Sequence, residues 1–133
     1  MATISPNNTE RVAVPNSTAD VAIPNSSKYT KFLFCLEGCT ATATYQIVAD
    51  LGAGGAGPVP LEILPTVSQN MNQGRWGSEV TVADPPTTVT FQVTLAAPCP
   101  AGLILRHSGG ADNGVAGTLH VSMSGSVYSQ GLN

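Results

Sequence analysis

Thr88-Val89-Thr90-Phe91-Gln92-Val93-Thr94-Leu95 alternates polar and apolar side chains without a break. A period of two puts neighbours on opposite faces of an extended chain, so this stretch can bury a single face only as a β-strand. The same code returns at Thr40, Thr42, Thr44 and Gln46 against Ala41, Ala43, Tyr45 and Ile47. It appears again at Thr118, His120, Ser122 and Ser124 against Leu119, Val121 and Met123. Leu61-Glu62-Ile63, Val80-Thr81-Val82 and Leu103-Ile104-Leu105 are shorter pieces of the same kind. Phe32-Leu33-Phe34-Cys35-Leu36 is a continuous apolar run and reads as a buried strand. No segment combines a 3.6-residue apolar period with helix caps. Glycine and proline punctuate the strands at turn-like intervals. The expectation is seven to nine strands in an all-β fold: a single antiparallel β-sandwich or jelly roll with an extended N-terminal arm.

The arm is assigned to residues 1–28 and the sandwich domain to residues 29–133. Within the arm one phrase is said twice: Val12-Ala13-Val14-Pro15-Asn16-Ser17-Thr18, then Val21-Ala22-Ile23-Pro24-Asn25-Ser26-Ser27. Val12, Val14, Val21 and Ile23 alternate with small residues, which suits short edge strands, each stopped by a proline that cannot donate to a ladder. Two readings stand at this point. The duplication makes a hairpin on the edge of the sandwich, or these four residues form an assembly interface with another subunit.

Composition removes several classes of partner. Only 10% of residues are charged and the net charge is −3. Arg11, Lys28, Lys31, Arg75 and Arg106 are scattered, so there is no basic stripe for nucleic acid and no polybasic membrane anchor. No run of about 18 apolar residues could span a bilayer as a helix. The first residues lack the basic start and apolar centre of a signal peptide, so synthesis in the cytoplasm is expected. Asn7-Asn8-Thr9, Asn16-Ser17-Thr18 and Asn25-Ser26-Ser27 match the N-glycosylation pattern, read here as chance in a chain rich in these residues.

Candidate sites are few. Gly52 to Gly57 fits G-x-G-x-x-G, but Pro58-Val59-Pro60 follows where a dinucleotide site needs a helix, so a small-residue loop and no cofactor are expected. Cys35 and Cys39 enclose Leu36-Glu37-Gly38, a spacing that suits a three-residue hairpin with a G1 bulge. They are read either as a disulfide or as buried small side chains, and with Cys99 they do not make a zinc site. His107 and Ser108 are adjacent and would point to opposite faces of a strand. No G-x-S-x-G elbow is present, and the eight acids are spread thinly, so no catalytic residues are assigned. Ala111-Asp112-Asn113-Gly114 reads as a turn with too few oxygens for Ca²⁺. Gln69 to Gly77 holds Arg75 and Trp76, the lone tryptophan, among side-chain amides. Trp76 is read as a core plug, as a partner contact, or as a stacking platform for a glycan.

The small size, the all-β pattern, the Gly/Ala/Thr/Ser-rich surface and the strand-and-proline arm together resemble small bacteriophage head-decoration (cement) proteins. The resemblance implies a structural virion protein, on the outer capsid surface, that clamps the shell through the major capsid protein and copies of itself. A homo-oligomer is implied, with a trimer favoured. No residue of that family is carried over to a position here. The alternative reading is a carbohydrate- or receptor-binding β-sandwich that uses the Arg75–Trp76 loop.

Overall fold

The computed structural model describes residues 7–39, 41–50, 58–65, 79–82, 88–112 and 116–125. Ten strands run through them in chain order: β1 (Asn7–Val14), β2 (Val21–Ala22), β3 (Lys31–Glu37), β4 (Ala43–Asp50), β5 (Pro58–Pro60), β6 (Leu64–Pro65), β7 (Val80–Val82), β8 (Val89–Thr94), β9 (Leu103–Gly110) and β10 (Gly117–Ser124). A single 3₁₀ turn, Ser26–Lys28, follows β2. The strands form two antiparallel sheets. Sheet A has the order β1-β10-β3-β8-β6, and sheet B the order β2-β9-β4-β5, with β7 also pairing β4. The chain is an all-β sandwich, as the alternating ladders require.

The core lies between the sheets because each ladder turns its apolar set inward. Val89, Phe91 and Val93 of β8, and Leu119, Val121 and Met123 of β10, are all buried; Thr90, Gln92, His120 and Ser122 are not. Sheet B answers with Tyr45, Ile47, Leu103 and Leu105. Phe34 is the centre of the aromatic packing. Its ring lies 5.1 Å from Phe91 and 6.0 Å from Phe32, both stacked. Burying side chains of this size contributes about 1.5–3 kcal/mol each, which lets a chain with only 10% charged residues fold.

Two local readings are corrected. The run from Phe32 to Leu36 is not buried on both faces: Phe32, Phe34 and Leu36 point inward, while Leu33 is 46% exposed and Cys35 half-buried. An antiparallel sheet covered on one side leaves its other face to solvent. The piece Leu61-Glu62-Ile63 is a crossing rather than one strand. It joins β5 in sheet B to β6 in sheet A, with the Leu61 amide donating to the Ile47 carbonyl at 2.8 Å.

The duplicated phrase is placed in both sheets. β1 pairs along its whole length with β10, from Asn7 opposite Ser124 to Val14 opposite Gly117. β2 pairs instead with β9. The two copies therefore do not form a hairpin with each other; each adds an edge strand to a different sheet. Equivalent residues do equivalent work. Val14 and Ile23 are buried, Val12 and Val21 pack half-buried against the core, and Ala13 and Ala22 face out. Asn25, which follows the second proline, takes a left-handed backbone (φ 61°) that asparagine tolerates. Its side chain donates to Glu10 at 2.9 Å, and Asn8 donates to the same carboxylate oxygen at 3.0 Å. Glu10 thus ties the edge of sheet A to the turn that follows the edge of sheet B.

Candidate functional site

Directly opposed residues of an antiparallel pair share a face, so the register lays out the outward side of sheet A row by row. One row reads Thr9, Ser122, Leu33, Gln92; the next reads Arg11, His120, Cys35, Thr90; a third reads Ala13, Thr118, Glu37. Asn7, Ser124, Lys31 and Thr94 complete the face. Hydroxyls and amides occupy most of it. Leu33 is the one large apolar side chain counted as exposed among the described residues.

A shallow depression of about 450 Å³ opens on this face. It is lined by Thr9, Glu10 and Arg11 of β1, His120, Val121 and Ser122 of β10, and Leu33 and Cys35 of β3. His120 Nε2 lies 2.8 Å from Glu37 Oε1 at its side, an ion pair when the imidazole is protonated. Cys35 stands opposite His120 in the register. Cysteine, histidine and glutamate therefore share one face, with His120 and Glu37 brought together from positions 83 residues apart in sequence.

That trio has the residue types of a nucleophilic site but not its wiring. Burial, and then the Glu37 carboxylate, push the Cys35 thiol above its ordinary range. A nucleophilic cysteine needs the opposite shift. His120 Nε2 is directed to Glu37, and the trio is not among any group of ligating side chains able to hold a metal ion in the described residues. The face is a mild, mostly uncharged surface around one exposed leucine.

The residues singled out from the sequence fall as follows. Val14 and Ile23 are core residues of this chain, with Val12 and Val21 packed against them, so their apolar side chains face inward rather than toward a partner. The bridge between Cys35 and Cys39 is not formed; Cys35, Cys39 and Cys99 are all free. The reason is topological. Gly38 (φ 84°) lies between β3 in sheet A and β4 in sheet B, so the chain changes sheets instead of folding back as a hairpin. Cys39 is buried, and its thiol and the Tyr45 hydroxyl are hydrogen-bonded; burial raises both groups. His107 lies within β9, edge-on to Tyr45, with Nε2 2.7 Å from the Ala111 carbonyl. Arg75, Trp76 and the glycine loop 52–57 lie outside the described residues.

Sequence reasoning placed His120 on a polar face but missed its partner Glu37 and the exposure of Leu33. A signal was present. Lys31 and Glu37 have the same parity as Leu33 and Cys35, and two charged ends mark that parity as the outward one.

No protein-family model matches the chain, and no curated protein matches it. Among solved structures it is similar to the SPBc2 prophage-derived protein YomS, known from its crystal structure. The identity is 8% and the TM-score 0.55, over 92% of this chain and 98% of that one. At this identity the likeness is one of fold, and it covers most of both chains.

Proposed function

We propose that the chain is a structural virion protein of the capsid-decoration kind. It docks on the outside of an assembled shell through the outward face of sheet A, and it stabilises the shell through the major capsid protein and copies of itself. The observation that carries this reading is the chemistry of that face. The chain as a whole has a net charge of −3. Its outward rows nonetheless hold Arg11 and Lys31 against one carboxylate, Glu37, with hydroxyls and the exposed Leu33 between them. Such a surface suits a neutral to acidic protein exterior, where modest contacts repeated over many copies add up. The prophage origin of a protein with the same fold supports the reading.

Gradient sedimentation of native source material tests it. Co-migration of the chain with megadalton particles in many copies is the expected result. Recovery only as a small free species would overturn it. On particles, Leu33→Asp should lower occupancy while leaving the circular dichroism of the free chain unchanged. Unchanged occupancy would move the contact to another surface.

A further inference from the structure

The edges of a sandwich decide whether it stays alone, and those of this chain differ sharply. Sheet A ends on one side at β6, two residues with Pro65; sheet B ends at β2, two residues, and at β5 and β7, three residues each, with β5 holding Pro58 and Pro60. Strands this short, or broken by proline, offer little ladder to a neighbour. The remaining edge is β1. It is eight residues long, contains neither proline nor glycine, and stays in unbroken register with β10. Among the described residues no strand pairs with its other side. Alternate backbone groups of an edge strand point away from its sheet and are open to a second strand.

We infer that β1 pairs with β1 of a second copy, antiparallel across a two-fold axis, so that sheet A continues from one subunit into the next. The side chains of β1 select the register. Opposed residues must share a face, so the axis passes through a single residue position. An axis at Glu10 sets two carboxylates opposite each other, and one at Arg11 sets two guanidinium groups opposite; both are unfavourable. Centring on Val12 puts the Glu10 carboxylate against Val14 and meets Pro15 at either end. An axis at Thr9 sets no like charges together and no carboxylate against an apolar side chain; Pro6, which falls opposite the partner's Val12, bounds the pairing to Asn7–Arg11. Thr9 faces the partner's Thr9, Asn8 faces the partner's Glu10, and Asn7 faces the partner's Arg11. Glu10 already accepts from Asn8 and Asn25 at Oε2 within the chain, and its other carboxylate oxygen has room for a further donor. Pairing on this axis joins the two outward faces, and their two depressions lie on one continuous sheet.

The inference rests on the self-association proposed above and gives it an element and a symmetry. Strand-to-strand pairing of this kind is isologous and closes at two subunits, whereas a trimer needs a different contact. In a Cys35→Ser background, Thr9→Cys and Ala13→Cys variants are oxidised and resolved by mass. Opposed Cα atoms lie within disulfide reach, so Thr9→Cys is expected to give a covalent dimer and Ala13→Cys to remain monomeric. A monomer from both, cross-linking at Ala13 alone, or a trimer in native mass spectrometry of the unmodified chain would overturn the inference. Thr9→Lys sets two ammonium groups on the axis; loss of the dimer with an intact β signal is the second expected result, and an undiminished dimer counts against the register. Particle occupancy of Thr9→Lys, measured separately, keeps the two readings apart. A monomer that still binds particles leaves shell docking standing, and a dimer that binds none removes shell docking alone.

Discussion

Val14 and Ile23 hold the same place in two copies of one phrase and seal the same core at the edges of opposite sheets, Val14 within β1 and Ile23 just past β2. The duplication therefore encodes one structural unit used twice: an apolar plug, a proline stop and a polar turn. Ile23→Ala should cost about 2–4 kcal/mol and Val14→Ala somewhat less, from lost transfer energy plus the cavity left behind. Urea unfolding should show both as lowered midpoints with unchanged slopes. A near-neutral Ile23→Ala would mean that the second copy is not packed as described.

Ser26 is buried and makes two bonds of 2.7 Å: its hydroxyl donates to the Ile23 carbonyl and accepts from the Leu103 amide. Replacing it with alanine leaves that amide without its side-chain acceptor. The expected loss is about 1–3 kcal/mol. Amide hydrogen exchange at Leu103 should accelerate with it; unchanged protection there would show that another acceptor takes over.

Gly117 lies where the chain leaves sheet A after β3. A Cβ added there would sit 2.6 Å from the Glu37 carbonyl oxygen and 2.8 Å from Cys39 Sγ. Since the nearer atom is backbone, little can give way. Gly117→Ala should destabilise by about 1–3 kcal/mol and lower the thermal midpoint. A wild-type melting curve would place the crossing farther from β10 than the contacts require.

Cys35, Cys39 and Tyr45 all have folded-state pKa values raised chiefly by burial. Each group holds its proton more tightly folded than unfolded. The associated stability is complete below the unfolded thiol value, roughly 8.5–9, and is lost progressively as pH rises past it. Denaturant midpoints should therefore be flat near neutrality and fall at alkaline pH. Cys39→Ala should flatten that fall, whatever it does to the neutral-pH stability. An alkaline slope identical to the parent's would assign the loss to other groups.

The ladders at Thr88–Leu95 and Thr118–Ser124 were legible because one face of each strand is wet and the other dry, a difference written at every residue. The strand from Lys31 to Glu37 was harder to read. Leu33 is apolar yet outward, so the run hides its phase, and only the charges at its ends reveal it. Gly38 misled for a different reason. A left-handed glycine serves a tight hairpin and a change of sheet equally well, and the choice depends on partners far away in sequence. The same holds for the duplicated phrase, whose neighbours β9 and β10 lie near the other end of the chain. His120 and Glu37 meet for the same reason: their strands are neighbours in the sheet and remote in the sequence.

The pairing of Asn7–Val14 with Gly117–Ser124 also sets an order of events during synthesis. Among the described strands β1 has to wait for β10, and β3, the neighbour of β10 in sheet A, stays half-covered for the same interval. Folding of this kind completes late and slowly, because the decisive contact spans most of the chain. A growing chain stalled before residue 117 would have every strand of sheet B described here but no seat for β1, and would be open to capture by chaperones until β10 emerged.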